Sequence, residues 1–468
     1  MRLDIDAMPA GPSMPPAQHG SARDIISLPR VITIISSVIY AISIIYACKN
    51  YLQPQWEYLG FTLNEPTFAD YVIVAFFVSM CATVTPLRIG SASRLVAIAL
   101  FFIVIAPGMV ITALHINSTD GRRFSLMLGI LAAYLLLGLS CRHRMSRRKL
   151  AYVDPNQTML VVIAFAWVVA GATIFMAYRD VMSISALDSV YEQRAAGAST
   201  GLVMGYLHTY FSTVLSPGLM AFGLTMKRHL WTILGVAGCV MMYAVNAQKT
   251  VLMLPIALVM LGMLSRFCLG SKYFTSCIAI LFSIVIVGST LFWDTSVVAG
   301  ALAIFFTYRT IAVPGLTLTQ YHDFFSDNGF TLWSHVKGID LIVSPPTAFQ
   351  SDNLWPGLGY ILGDRLFGNP DFNMNANPLS GDGLAAAGIP GLVVIGVILG
   401  AYLRLLDLVT HRWNPLFVAL ITLPIAIALT NGHFFTVMLS FGGLFWLIAL
   451  SIRELSTQKI TVAHRKEA

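Results

Sequence analysis

The sequence predicts an all-α polytopic membrane protein with about twelve transmembrane helices and one large outer loop late in the chain. Of its 468 residues, 57% are hydrophobic and only 11% are charged, and the mean hydropathy of +0.75 excludes a soluble globule. Besides this composition, two observations predict the fold: the long apolar runs and the uneven distribution of positive charge along the chain. Together they give the number of helices and the side of the membrane on which each loop lies.

Twelve apolar runs are each about long enough to cross a bilayer as a helix. They cover residues 31–48, 69–87, 95–115, 124–141, 159–178, 201–226, 230–246, 250–265, 273–292, 384–405, 415–430 and 434–452. The seventh and eighth runs are the weakest candidates, because they are short and only three residues separate them. The apolar piece at 296–307 is too short to cross, so we expect it to lie along the surface or to re-enter the membrane.

The positive charges orient these helices. With the N-terminus inside, twenty of the 29 Lys and Arg residues fall on the inner side, whereas fifteen of the 22 acidic residues fall outside. Both termini are therefore predicted to be cytoplasmic. The net charge of +7 follows from this topology and gives no reason to expect a nucleic-acid partner.

The same pattern divides the chain into five parts. Residues 1–30 form a Pro-rich cytoplasmic tail that we expect to be disordered, 31–292 carry nine helices, and 293–382 form the large outer loop with short surface helices. Residues 383–452 carry the last three helices, and 453–468 form a second cytoplasmic tail. The six cysteines contain no Cys-x-x-Cys pair and are predicted to be small apolar residues, neither disulfides nor metal ligands.

Four cations on the predicted outer side need an explanation, because outer loops are usually poor in Lys and Arg. They are Arg194, Lys249, Arg309 and Arg365. Each alone is explained by snorkelling or by pairing with a nearby acid. As a set they favour a diphosphate-binding surface, because planar guanidinium groups match phosphate oxygens bidentately.

The sixth run carries a small and polar stripe at three- or four-residue spacing. Its members are Gly201, Gly205, His208, Ser212 and Ser216. A stripe of this kind lines a cavity for a sugar or a lipid head group, or it packs closely against another helix. The sequence leaves both interpretations open, and it favours His208 as a packed or cavity histidine over a catalytic one.

The outer loop supplies the candidate proton acceptors. Asp382 stands apart, because it lies between two glycines directly before an apolar helix, where it caps that helix or acts as a general base. Asp323 and His322 are the second candidates, and the nearby Tyr321 stacks on a sugar or anchors the loop. The sequence contains no His-Glu-x-x-His, phosphate-cradling Gly-x-x-x-x-Gly-Lys or Gly-x-Ser-x-Gly motif, so we expect no metal and no cofactor.

Three stretches of the chain resemble one family, the Wzy-type O-antigen polymerases, which polymerise oligosaccharide repeat units. The stretches are Tyr308-Arg309-Thr310-Ile311-Ala312-Val313-Pro314-Gly315 with Tyr321 to Asn328, then Asn375-x-Asn377-Pro378 with Asp382-Gly383, Gly388 and Gly391, and finally Tyr191 to Gly205 with Arg194. They cover about a quarter of the chain. O-antigen ligases share this architecture but typically carry a His-Asn pair in the large loop. No histidine precedes Asn375 or Asn377 here, which favours the polymerase.

The resemblance implies a GT-C-like fold and a metal-independent glycosyltransferase of the bacterial inner membrane. The implied reaction moves a growing glycan from undecaprenyl diphosphate onto an incoming lipid-linked repeat unit on the periplasmic side. Arg194 and Arg309 then bind diphosphate, Asn375 and Asn377 lie at the substrate, and topology adds Lys249 and Arg365. Undecaprenyl-diphosphate-linked glycans and membrane lipid are the expected partners, and a chain-length regulator protein is a candidate partner.

Three alternatives remain at the level of the sequence. An O-antigen ligase shares the predicted architecture. A transporter or flippase of lipid-linked oligosaccharide typically shows internal repeats and charges near the membrane midplane, and neither is evident in this chain. An acyltransferase needs a histidine deep in a helix, for which His208 is the candidate.

Overall fold

The fold is an all-helical bundle, as a computed structural model of residues 27–115, 120–142, 152–183, 193, 201–374 and 376–452 describes it. These residues contain no β-strand, and the two isolated bridges among them pair Leu63 with His115 and Val153 with Trp413. Arg194, Asn375 and both predicted cytoplasmic tails lie outside the described residues, apart from positions 27–30 of the first tail. The chain is thus an all-α polytopic membrane protein.

Sixteen helices are described and are numbered in chain order. They are α1 Leu28–Leu59, α2 Phe68–Val84, α3 Ala92–Leu114, α4 Asp120–Arg142, α5 Gln157–Tyr178, α6 202–225, α7 His229–Asn246, α8 Lys249–Met263, α9 Ser265–Gly270, α10 Phe274–Leu291, α11 Val297–Asn328, α12 Leu358–Phe367, α13 Leu379–Thr410, α14 Pro415–Leu429, α15 Phe434–Ser440 and α16 Gly443–Ile452. Five of them contain π-helical turns, which often mark functional sites inside α-helices.

Eight of the described helices are long and apolar enough to cross a membrane, and the count rises to nine if α15 and α16, bent by 54°, form one span. Three shorter apolar helices are α2, α8 and α14. Every apolar run predicted from the sequence coincides with one helix or with the bent pair. The long helix α11 is an addition to them.

The helices α1, α3 and α10 run in the same direction through the bundle. At one end Thr33 hydrogen-bonds Ser276 over 2.9 Å. At the other end Trp293, just after α10, lies 5.6 Å from the ring of Tyr51, and Leu63 pairs with His115. This second end carries residues 329–378, which we call the insert. We therefore call this end of the bundle the insert end.

The structure changes the predicted start of the outer loop. Residues 297–328, placed in the loop by the sequence, form the continuous helix α11 instead, with a π-helical segment at Ala303–Ala312. The polar insert therefore begins at residue 329, not at 293. The polar residues of α11 predicted a solvent-exposed loop, but Gln320, Tyr321 and His322 are buried inside the bundle.

Three contacts place α11 against its neighbours. Gly300 packs against the Trp293 carbonyl at the insert end, whereas Phe306 reaches Phe282 in the middle of α10, with ring centroids 4.9 Å apart. The second half rises along α3, so that Asp323 again lies at the insert end, beside His115.

Candidate functional site

The candidate site is built around a break in α13. This helix begins with a π-helical turn, Leu379–Leu384, and its backbone leaves helical geometry at Ala387 and Gly388. Carbonyl groups freed by such a break need new donors inside a membrane protein. Thr331 and Leu332 of the insert supply them, since their N–H groups donate to the carbonyls of Ala385 and Ala386. The insert is therefore tied to the break.

A strained turn of the insert lies next to Thr331 in the sequence. Leu332 and Trp333 have φ angles of 47° and 61°, a region that bulky residues rarely adopt. Such strain persists only where the surrounding structure requires it, often at functional sites. Here it folds His335 back onto Thr331, and 2.8 Å separates the His335 Nδ1 from the Thr331 Oγ1.

Three side chains converge at this point, and we call them the His–Asp–His cluster: His335, Asp382 and His433. The Asp382 side chain is 0% exposed. Its Oδ1 lies 3.7 Å from the His335 Nε2, and its Oδ2 lies 3.8 Å from the His433 Nδ1. The N–H of Phe434 donates to the same Oδ2. The insert, the start of α13 and the turn before α15 thus each contribute one member.

Three of the four facing atoms in the cluster lack hydrogen bonds. Among the described residues, Asp382 Oδ1, His335 Nε2 and His433 Nδ1 are all buried without a partner, and separations of 3.7–3.8 Å are too long for hydrogen bonds. Burial lowers the pKa of His335, and the neighbouring carboxylate opposes this shift. The side chain of His433 is 25% exposed, so the cluster reaches solvent through this residue.

Gly381 permits this arrangement, because a Cβ at that position would collide with the imidazole ring of His433. We therefore expect Gly381→Ala to displace His433 and to destabilise the fold by about 1–3 kcal/mol, the usual cost of overpacking. Thermal unfolding of the purified protein measures this. Gly288→Ala is the matched control, since no atom lies within 4 Å of the Cβ it would add. Equal melting temperatures for the two variants would contradict the close approach.

A second group of titratable residues lies at the insert end between α3 and α11. His322 Nδ1 is 3.0 Å from Asp323 Oδ1, and His115 Nδ1 is 3.9 Å from Asp323 Oδ2. Burial lowers the pKa of His115, against the opposing effect of Asp323. The two second-choice proton acceptors from the sequence are thus neighbours, with His115 as an addition.

Two of the four predicted cations share one surface. Arg309 is exposed on the π-helical segment of α11 and has no acidic partner among the described residues. Lys249 places its Nζ 4.4 Å from the ring of Phe305, one turn before Arg309 on the same face. Arg365 is instead paired with Asp352 at 3.3 Å, as the simpler interpretation expected. Arg194 lies outside the described residues.

Two further residues that the sequence predicts to bind substrate, Tyr321 and Asn377, form hydrogen bonds to the backbone of the protein. The Tyr321 hydroxyl donates to the Met374 carbonyl over 3.0 Å, and this side chain is fully buried. The amide of Asn377 accepts the N–H groups of Leu379 and Ser380 and donates to the Pro314 carbonyl. Tyr321 and Asn377 therefore hold the start of α13 in place. Asn375 is not among the described residues.

The stripe on α6 supports close packing. His208 lies 4.9 Å from the ring of Tyr178, and its Nε2 has no partner among the described residues. Farther along, Ser216 accepts the indole N–H of Trp167, and Gly235 and Gly238 of α7 approach Ser216 closely. The lower part of the stripe is thus a helix interface, whereas His208 retains one free ring nitrogen.

The sequence singles out Asp382, and it offers His335 only as one of several possible proton acceptors in the outer loop. It does not single out His433 or His115. These two flank apolar runs, which is the signal that could have identified them. Asp382 itself does not cap α13, because the Asn377 side chain accepts the first N–H groups instead.

Comparisons with known proteins found no matching family model, curated protein or solved structure. The class that the fold defines is therefore a polytopic helical membrane protein with a buried His–Asp–His cluster at one end.

Proposed function

We propose that this protein is a membrane glycosyltransferase that polymerises oligosaccharide repeat units carried on undecaprenyl diphosphate. The observation that carries the proposal is a buried carboxylate between two histidines at the start of a broken helix, on the side of the bundle that holds the polar insert. The motif Asp382-Gly383, which resembles that of the O-antigen polymerases, supplies this carboxylate. A second motif residue, Arg309, is exposed on α11.

The reaction needs a group that takes the proton of the acceptor sugar hydroxyl. Asp382 was the first candidate, yet its side chain is enclosed and accepts the N–H of Phe434. His433 is the member of the cluster that reaches solvent. In our proposal the cluster accepts the proton through its His433 side, and Asp382 orients the imidazole. Asp323 and His322 remain a second candidate pair, since the Asp323 side chain is 26% exposed.

The leaving diphosphate needs positive charge. As the acceptor oxygen bonds to the anomeric carbon, the bond from this carbon to the diphosphate oxygen breaks and negative charge develops on the diphosphate. Arg309 and Lys249 are proposed to stabilise this charge, which lowers the barrier more than it strengthens substrate binding. The motif residue Arg194 is proposed to join them.

The finer topology is part of the same proposal. It comprises about twelve membrane crossings, a GT-C-like architecture and a position in the bacterial inner membrane with both termini cytoplasmic. The insert then faces the periplasm, where lipid-linked repeat units meet the enzyme. Undecaprenyl-diphosphate-linked glycan is the proposed substrate, and a chain-length regulator is a candidate partner.

An O-antigen ligase is the second candidate function, and one observation favours it. A histidine of the large insert, His335, reaches the site, as a loop histidine does in the ligase pattern. Valine follows it in this chain, whereas the ligase pattern has asparagine. The polymerase therefore remains the preferred proposal.

Deletion of the gene separates these functions. For a polymerase we expect lipopolysaccharide that carries the core plus one repeat unit and no longer ladder, as seen on a gel. Loss of a ligase leaves bare core with lipid-linked polymer retained, and loss of a flippase leaves no capped core. Either of these two patterns would contradict the proposed polymerase. Restoration of the ladder from a plasmid is the control.

A further inference from the structure

We propose that the His–Asp–His cluster is a binding site for one divalent transition-metal ion of the Zn²⁺ type. The first observation is that its facing atoms are unsatisfied. The His335 Nε2, an Asp382 oxygen and the His433 Nδ1 point at one another without hydrogen bonds from any described residue. Asp382 is a buried carboxylate with a single donor among the described residues, the N–H of Phe434 on its other oxygen, and such burial is costly unless a positive charge lies nearby.

The distances suit a metal ion. The three candidate ligand atoms all lie within 4.8 Å of one another. In a tetrahedral site with bonds of about 2.0–2.2 Å, neighbouring ligand atoms are roughly 3.3–3.6 Å apart. The observed separations are slightly longer than this, at 3.7 Å from the His335 Nε2 to the Asp382 Oδ1 and 3.8 Å from the His433 Nδ1 to the other carboxylate oxygen, Oδ2. Small rotations of the two imidazole rings would close the site around an ion.

The surroundings orient the ligands as in known metal sites. A metal-bound histidine usually makes a hydrogen bond through its other ring nitrogen. His335 does so, since its Nδ1 lies 2.8 Å from the Thr331 hydroxyl. If this Nδ1 carries the proton, the Nε2 turns a lone pair toward the Asp382 oxygen. Two lone pairs facing each other at 3.7 Å are stable only with a cation between them.

The ligand types select the class of metal. Two imidazole nitrogens and one carboxylate oxygen suit Zn²⁺ and related ions, whereas Mg²⁺ and Ca²⁺ prefer oxygen ligands alone. Three protein ligands also leave a position open for water or substrate, as in catalytic zinc sites. Metal binding here departs from the metal-independent enzyme that the sequence led us to expect.

The use of the ion rests on the proposed function, but its binding does not. If the proposed function holds, the acceptor hydroxyl would occupy the open position, where the ion would lower its pKa so that its proton could pass to water, and His433 would then serve as a ligand and not as the base. Binding of the ion itself is expected whether the chain is a polymerase, a ligase or a transporter. The test is therefore chosen to read metal content directly.

The experiment uses the purified full-length protein in lipid nanodiscs, stripped with EDTA and then dialysed against ZnCl₂. We expect about one Zn²⁺ per chain by elemental analysis, and we expect Asp382→Asn and His433→Gln to lose it. Asp323→Asn is the matched control, since it alters the other His–Asp group, and it should retain the ion. The proposal would be overturned if the wild-type protein bound no zinc, or if the two variants bound as much zinc as the wild type. A proton shared within the His–Asp–His cluster would then be its positive charge.

Thr331→Val provides a second test that spares the three ligands. The methyl group replaces the hydroxyl that orients His335. Loss of such an orienting partner typically weakens metal binding about 10- to 100-fold. Titration of the stripped protein with ZnCl₂ gives the dissociation constants. Unchanged affinity in a monodisperse Thr331→Val protein would contradict the assigned ligand geometry.

Discussion

Asp382→Asn is expected to lower the rate of glycan polymerisation about 10²- to 10⁴-fold, the contribution typical of a general acid–base group. Asparagine has nearly the same shape, and its amide oxygen can still accept the N–H of Phe434. The variant loses the negative charge that orients the two histidines and, with it, the proposed metal ion. Repeat-unit ladders on gels, together with the amount of protein in the membrane fraction, separate loss of activity from loss of folding.

Asp371→Asn is the control for that substitution. Asp371 is an exposed carboxylate of the insert and does not belong to the cluster. Its replacement should leave the ladder unchanged. A normal ladder in the Asp382→Asn strain, with normal protein abundance, would show that the cluster does not take part in the reaction.

Arg309→Ala is expected to lower polymerisation about 10²- to 10³-fold, because removal of one group that stabilises transition-state charge typically costs about 3–4 kcal/mol. Arg309 is exposed and has no acidic partner among the described residues, so its removal should not harm the fold. Arg309→Lys should recover part of the activity, since lysine keeps the charge but not the planar fork.

Arg122→Ala is the matched control for this surface. Arg122 is another exposed cation of the insert end, paired with Asp327 at 3.5 Å. Exposed pairs of this kind contribute little to stability, so the variant should behave as wild type. If Arg309→Ala produced chains of normal length, Arg309 would have no part in diphosphate binding.

The helices were largely predictable, because a membrane protein shows its spans through apolar length alone. The exception is α11, whose second half is polar. Hydropathy records the polarity of Gln320 and His322 but not their burial, which long-range packing decides, as where Gln320 donates to the Leu59 carbonyl. The break at Gly388 was also hidden, since donors from the distant Thr331 and Leu332 make it tolerable.

The candidate site was only half predictable. Asp382 was recognisable from the glycines beside it. One of them, Gly381, makes room for the His433 ring, which the sequence does not show. His335 and His433 lie some fifty residues to either side of Asp382, and no local pattern connects them. Their meeting depends on the strained turn at Leu332 and Trp333.

The central claim is that glycosyl transfer takes place at the His–Asp–His cluster. Its most direct test is release of undecaprenyl diphosphate from a defined lipid-linked repeat unit by the purified protein in liposomes. We predict release together with a ladder of polymer for the wild type, and neither for His433→Gln. Equal release by His433→Gln, or transfer of intact substrate across the bilayer without release by the wild type, would contradict the claim.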